Sequence, residues 1–190
     1  MASRLTPRRK IRPHSAVSPL SALRGIKLFA TDVDGVLTDA GMYYAESGDE
    51  WKKFNTRDGM GIKLLQRAGI ITAIVTQEQT KLVARRAEKL AIPELHQGVM
   101  DKLTAIREMA ARYGFSLKQV AYIGDDVNDL EALKAVGFSA SPADGLPDIV
   151  AAVDYVCRKK GGEGAVREIV EMILDAQGSK VEFSSFRTRS

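Results

Sequence analysis

Apolar residues along this chain fall into short continuous runs, separated by stripes in which they recur every three to four positions. That is the pattern of buried strands alternating with amphipathic helices. Ile26, Leu28, Phe29 and Ala30 form the first run and read as a strand covered on both faces, as in a parallel sheet. Residues 70–75 and 120–123 repeat the pattern, and shorter strands are expected at 95–99, 138–140 and 155–156. Between them Ile62, Leu64, Leu65 and Ala68 stripe a helix from about Gly59, closed by Gly69. Leu82, Val83, Ala87 and Leu90 stripe a second over 81–90, and Leu103, Ile106, Met109, Ala110 and Tyr113 a third, ended by Gly114. Further helices are expected around 130–134, after Pro147 and over 165–177. The alternation predicts an α/β fold, a doubly wound, Rossmann-like parallel sheet. Residues 42–55 depart from it, because two short extended pieces flank Glu46-Ser47-Gly48-Asp49 as in an inserted β-hairpin. An isolated hairpin is marginally stable, so Tyr43, Trp51 and Phe54 either fold back on their own core or meet a partner subunit.

Composition narrows the classes. A chain of 190 residues, 45% hydrophobic and 27% charged, is long enough for one domain with a real core and is neither disordered nor fibrous in makeup. The net charge of +4 hints at nucleic acid until it is located. Seven basic residues precede the first acid, Asp32, and the remaining 21 basic residues face 24 acidic ones. The basicity therefore belongs to a Pro- and Ser-containing tail, residues 1–24, expected to be disordered, and not to a binding face. Residues 25–178 are expected to form one domain and 179–190 to fray. No apolar run approaches the ~20 residues a bilayer requires, so no membrane partner is expected. Cys157 is the only cysteine, which excludes an internal disulfide and fits a reducing, cytoplasmic setting.

Two acidic clusters carry the candidate chemistry. Asp32-Val33-Asp34-Gly35 follows the first strand and Gly124-Asp125-Asp126-Val127-Asn128-Asp129 follows the run 120–123. Asp-x-Asp-Gly alone is as well explained by a turn. If both runs are strands of one parallel sheet, however, Asp32, Asp34 and Asp125 share its C-terminal edge, where such sheets bind ligands. Carboxylates gathered there suit a hard cation such as Mg²⁺. Thr76, at the end of the run 70–75, either meets a phosphate or merely caps the next helix. Lys102 adds a cation. A nucleophile, a metal, a hydroxyl and a cation are what phosphoryl transfer requires, and His96 needs no chemical role.

At these residues the sequence resembles the haloacid dehalogenase superfamily of phosphatases. Asp32-Val33-Asp34-Gly35-Val36-Leu37-Thr38, Thr76, Lys102 and Gly124-Asp125-Asp126-x-x-Asp129 match its four motifs in order. The short interval holding only a hairpin is similar to the capless branch. Residues 55–61 and 161–168 further resemble phosphatases of 3-deoxy-D-manno-octulosonate 8-phosphate and of 2-keto-3-deoxynononate 9-phosphate, with likeness over about residues 23–176. This resemblance implies an Mg²⁺-dependent phosphatase of cell-surface sugar (lipopolysaccharide) biosynthesis, acting on a small sugar-acid phosphate. It implies Asp32 as nucleophile, Asp34 as acid/base and backbone-carbonyl metal ligand, and Asp125 as the third protein ligand. It implies Thr76 and Lys102 on the phosphate and Asp129 orienting Lys102 or the metal waters. By position it implies Asn55, Thr56, Arg57, Asp58, Gly59, Lys63, Arg86 and Asn128 around the substrate, and a homotetramer built on the hairpins. The chain departs from the octulosonate pattern at Thr76-Gln77-Glu78, where Thr-Gly-Arg is usual. Glu78, with Lys89 eleven residues later to pair with, is closer to the nononate pattern and joins the expected substrate site, so the nine-carbon acid is the expected substrate ahead of the octulosonate. A non-catalytic assembly domain, as in some nucleotide-sugar synthetases, is the competing reading, and the complete set of motifs favours catalysis.

Overall fold

The computed structural model describes residues 19–179. The first strand, β1 (Leu28–Thr31), is buried at every position. Alternate residues serve opposite cores: Phe29 joins one apolar cluster, Leu28 and Ala30 the other. The chain then forms an isolated hairpin, β2 (Tyr43–Tyr44) and β3 (Glu50–Trp51), followed by α2 (Thr56–Arg67) and β4 (Ile71–Val75). Next come α3 (Lys81–Leu90), β5 (Glu94–His96), α4 (Lys102–Arg112), β6 (Val120–Ile123), α5 (Leu130–Ala135), β7 (Phe138–Ser141), α6 (Pro147–Ala152), β8 (Tyr155–Val156) and α7 (Ala165–Ala176). Six strands pair in the order β5-β4-β1-β6-β7-β8, and all five pairings are parallel. The doubly wound sheet is as expected. Strand β1 sits centrally between β4 and β6, so the ends of these three strands lie side by side. Ile62 and Leu65 of α2 and Val166, Ile169 and Ile173 of α7 fill the core on one face. Ile106 and Met109 of α4, Leu133 of α5 and Ile149 of α6 fill the other.

Three expectations are corrected. The expected tail overlaps a short helix, α1 (Pro19–Leu23), and Leu23 is fully buried, because its side chain completes the cluster around Phe29 and α7. The rest of the expected tail, residues 1–18, and residues 180–190 of the expected fray lie outside the described residues. Helix α2 starts three residues earlier than the apolar stripe predicts, since Asn55 Oδ1 caps it by accepting from Arg57 N–H. The hairpin strands have only two residues each, and their connection, residues 45–49, is closed by Ala45 N–H donating to Asp49 O. No helix among the described residues is long and apolar enough to cross a membrane.

Candidate active site

Asp32 follows β1 directly, and its backbone N–H still donates to Ile123 O of β6, as if the strand ran one residue further. Its carboxylate is buried and held on both oxygens. Val33 N–H donates to Oδ1 at 2.7 Å, and Lys102 Nζ lies 2.9 Å from Oδ2. Lys102 opens α4 just after the cap residue Asp101, and is only 2% exposed despite its charge. Such burial demands partners, and Asp129 Oδ1 supplies the second at 2.6 Å. Burial disfavours the ammonium, yet Asp32 and Asp129 outweigh it and hold Lys102 above the ordinary lysine value.

Asp129 is saturated. Its Oδ1 also accepts from Tyr122 OH at 2.5 Å, and its Oδ2 from the N–H groups of Asp125 and Asp126. One carboxylate thus shapes the acidic turn and aims Lys102. Asp125 differs: its buried Oδ1 has no hydrogen-bond partner among the described residues. Burial, then the charges of Asp32 and Asp129, push its carboxyl from the ordinary 3.8 up to about 8. Burial and Asp129 likewise push Asp32 up to about 6, against the pull of Lys102.

Oxygens of Asp32, Asp125 and Asp129 lie within 4.8 Å of one another. Three acids against one buried lysine, with one oxygen orphaned, fit a hard divalent cation well, because it would satisfy that oxygen and favour ionisation of the whole group. Gly35 keeps the space open. Its φ is +79°, and a Cβ there would stand 2.0 Å from Asp125 Oδ2. Gly35→Ala is therefore expected to cost about 1–2 kcal/mol of backbone strain and to displace Asp125. Calorimetric titration with Mg²⁺ checks this, and unchanged affinity refutes it.

A cleft of about 410 Å³ opens over this group, lined by Asp32, Asp34, Thr76, Gln77, Glu78, Asp126 and Asn128. Thr76 does not cap α3; Thr80 does, accepting from Val83 N–H, and Thr76 is among the residues that line the cleft. Asn128 Nδ2 donates to Gln77 Oε1 across the mouth. Asp34 has its carboxylate on Lys52 Nζ, at 2.6 and 2.7 Å, and the same ammonium reaches Glu78 Oε2 at 2.5 Å. The expected Glu78–Lys89 pair is not formed. Lys89 is exposed near the far end of α3, two turns beyond the loop that carries Glu78, and Lys52 takes its place.

The other expected substrate residues gather elsewhere in the single chain. Asn55 Nδ2 donates to Gly162 O, and Arg86 reaches back to Asn55 O at 2.8 Å while lying over the Phe54 ring. Asp58 is fully buried and accepts from Arg167 N–H; burial raises its carboxyl and lowers the Arg86 guanidinium. Gly59 packs against Arg86, Thr56 and Arg57 are exposed, and Lys63 is half-buried on α2. None of these lines the cleft. Lys52 and Tyr122 were missed from sequence, and Asp126, though inside the matched motif, was given no role of its own. Tyr122 lies in an apolar run, while nothing separates Lys52 from the exposed Lys53 next to it.

Comparison with known proteins agrees with this geometry. Residues 89–169 match the haloacid dehalogenase-like hydrolase family. The 3-deoxy-D-manno-octulosonate 8-phosphate phosphatase of Yersinia pestis is 45% identical over 152 residues, 80% of this chain and 81% of that one. The crystal structure of the Moraxella catarrhalis enzyme of the same name, in complex with magnesium, phosphate and KDO, has 43% identity and a TM-score of 0.83, covering 88% of this chain and 95% of that one. A cobalt-bound deoxy-D-mannose-octulosonate 8-phosphate phosphatase from Haemophilus influenzae has 42% identity and a TM-score of 0.80, covering 88% and 96%. These likenesses make the chain a phosphoric monoester hydrolase. It belongs to the haloacid dehalogenase-like hydrolase family.

Proposed function

We propose that this enzyme hydrolyses a phosphorylated 2-keto-3-deoxy sugar acid through an aspartyl-phosphate on Asp32, with Mg²⁺ held by Asp32, Asp125 and the backbone carbonyl of Asp34. The observation that carries the reading is the buried Asp32 clamped by Lys102 beside the orphaned Asp125 oxygen. When bound, the cation supplies charge stabilisation for the phosphoryl oxygens. Lys102 and Thr76 hold those oxygens, and Asp129 aims Lys102. An Asp32 oxygen forms a bond to phosphorus as the sugar oxygen leaves, taking a proton from Asp34. Water then attacks phosphorus, gives a proton to Asp34 and releases phosphate, which regenerates the Asp32 carboxylate.

Relatives named for the octulosonate, 40–45% identical, support the eight-carbon acid as substrate. The nine-carbon acid is supported by Glu78 in the cleft, with no arginine among its lining residues. Side-by-side kcat/KM values for the two phosphates decide. Preference for the octulosonate by tenfold or more is expected, about 1.4 kcal/mol in transition-state binding, and a preference for the nononate overturns it.

The hairpin carries three exposed aromatics, Tyr43, Tyr44 and Trp51, the last 59% exposed. Clustered apolar surface of this kind marks an interface, and it supports a homotetramer built on the hairpins. Light scattering is expected to give four times the monomer mass, and Trp51→Glu to shift it downward. A monomeric wild type at micromolar concentration would sink the assignment.

A further inference from the structure

Lys52 follows β3 between two exposed neighbours, Trp51 and Lys53, yet its own side chain is fully buried. The cause lies at its tip. An ammonium has three N–H donors, and the three bonds formed here reach both oxygens of Asp34 and Oε2 of Glu78. Burial works against its charge, but these partners outweigh that and hold Lys52 above the ordinary lysine value. Asp34 has little else to fix it. Its only other side-chain bond among the described residues is a long one, 3.4 Å, from Thr38 Oγ1, and the chain turns away at Gly35 in the left-handed region. Glu78 stands on the loop between β4 and α3, 45% exposed, and Lys52 is its ion-pair partner.

We propose that Lys52 is a positioning residue for Asp34, and that Glu78 acts through Lys52, as the anchor of its ammonium, and not by reading the substrate. This rests on the reading in which Asp34 moves the proton. Lys52 brings three separate segments to one point: the hairpin, the loop after β1 and the loop after β4. Two of them line the cleft and the third does not. Removing the ammonium frees the Asp34 carboxylate to rotate, and misplacement of a reacting group by about 1 Å costs on the order of 10² in rate. Glu78, bonded to the same nitrogen, restrains that carboxylate at one remove. Its effect should vanish once Lys52 is gone.

The test is a double-mutant cycle of Lys52→Met, Glu78→Gln and the pair, with Lys52→Arg and Asp34→Asn as companions. Turnover is measured on octulosonate 8-phosphate and on glycerol 2-phosphate, which has neither carboxylate nor sugar ring. Lys52→Met is expected to lower kcat tenfold or more on both esters while KM stays within threefold. Glu78→Gln should lower kcat at least threefold alone and by less than twofold in the Lys52→Met background. Lys52→Arg, which retains the positive charge and offers Asp34 a guanidinium fork, should recover part of the loss. Wild-type kcat in Lys52→Met overturns the proposal, as does a Glu78→Gln effect that persists without Lys52 or falls on KM for the sugar acid alone. Should Lys52→Met fail to melt cooperatively, Lys52→Arg and Glu78→Gln carry the same comparison between the two esters. Asp34→Asn separates the failures. If it keeps full kcat, the proton-transfer reading is wrong; if it collapses while Lys52→Met does not, only the present inference is.

Discussion

Asp32→Asn is expected to abolish phosphate release, with a loss on the order of 10⁴ or more in kcat, the scale seen when a nucleophile is removed. The substitution is nearly isosteric. Asparagine still accepts from Val33 N–H, and Lys102 retains Asp129 at 2.6 Å, so the fold should persist. What disappears is the proposed oxygen nucleophile and one of the two anions on Lys102. Unchanged circular dichroism with no turnover is the expected pair of results. Wild-type turnover on any phosphate ester would end the nucleophile assignment, and a wild type with no activity on any ester would favour the assembly-domain reading.

The second large effect concerns the cation and has a definite sign with pH. Chelation is expected to abolish activity. In the metal-free protein the carboxyls of Asp125 and Asp32 stand at about 8 and about 6, against an ordinary 3.8. The folded state therefore holds more protons than the unfolded one between about pH 4 and pH 8. Stability must fall as pH rises through that window. The metal-free protein should melt at a higher temperature at pH 6 than at pH 8. Adding Mg²⁺ should reverse the order, because the cation binds the ionised carboxylates and competes with protons. At a hundred times its dissociation constant it stabilises by about 2.7 kcal/mol, or roughly 5–11 °C for a chain of this size, with the larger gain at pH 8. Equal melting temperatures at both pH values, unmoved by Mg²⁺, would refute the carboxylate cage.

Much of this was legible in the sequence because burial and periodicity are local signals. The apolar runs of β1, β4 and β6 place three strand ends together, and with them Asp32, Thr76 and Asp125. Lys102 was legible through its motif, not through its burial, which depends on Asp129 from a segment 27 residues away. Lys52 was illegible for the same reason in stronger form. Its partners lie 18 residues before it and 26 after, and nothing in Trp51-Lys52-Lys53 says which lysine turns inward. The Glu78–Lys89 pairing failed because spacing along the chain ignores where α3 begins. That helix starts at Lys81, so Lys89 is carried about 12 Å along its axis from the first turn, at 1.5 Å per residue.

The double glycine 161–162 has one more consequence. Gly162 N–H donates to Val36 O, and a Cβ on Gly161 would lie 1.9 Å from Gly35 O, so this loop is seated directly on the loop that carries Asp34. During synthesis Asp32 leaves the ribosome about 130 residues ahead of the glycines that brace its loop. The centre of the sheet can pair once β6 has emerged, but the loop after β1 gains its contact with Gly161 and Gly162 only after β8 and the turn beyond it arrive. That brace on the Asp34 loop is thus a late event in the life of each chain, well after β1 has found its neighbours.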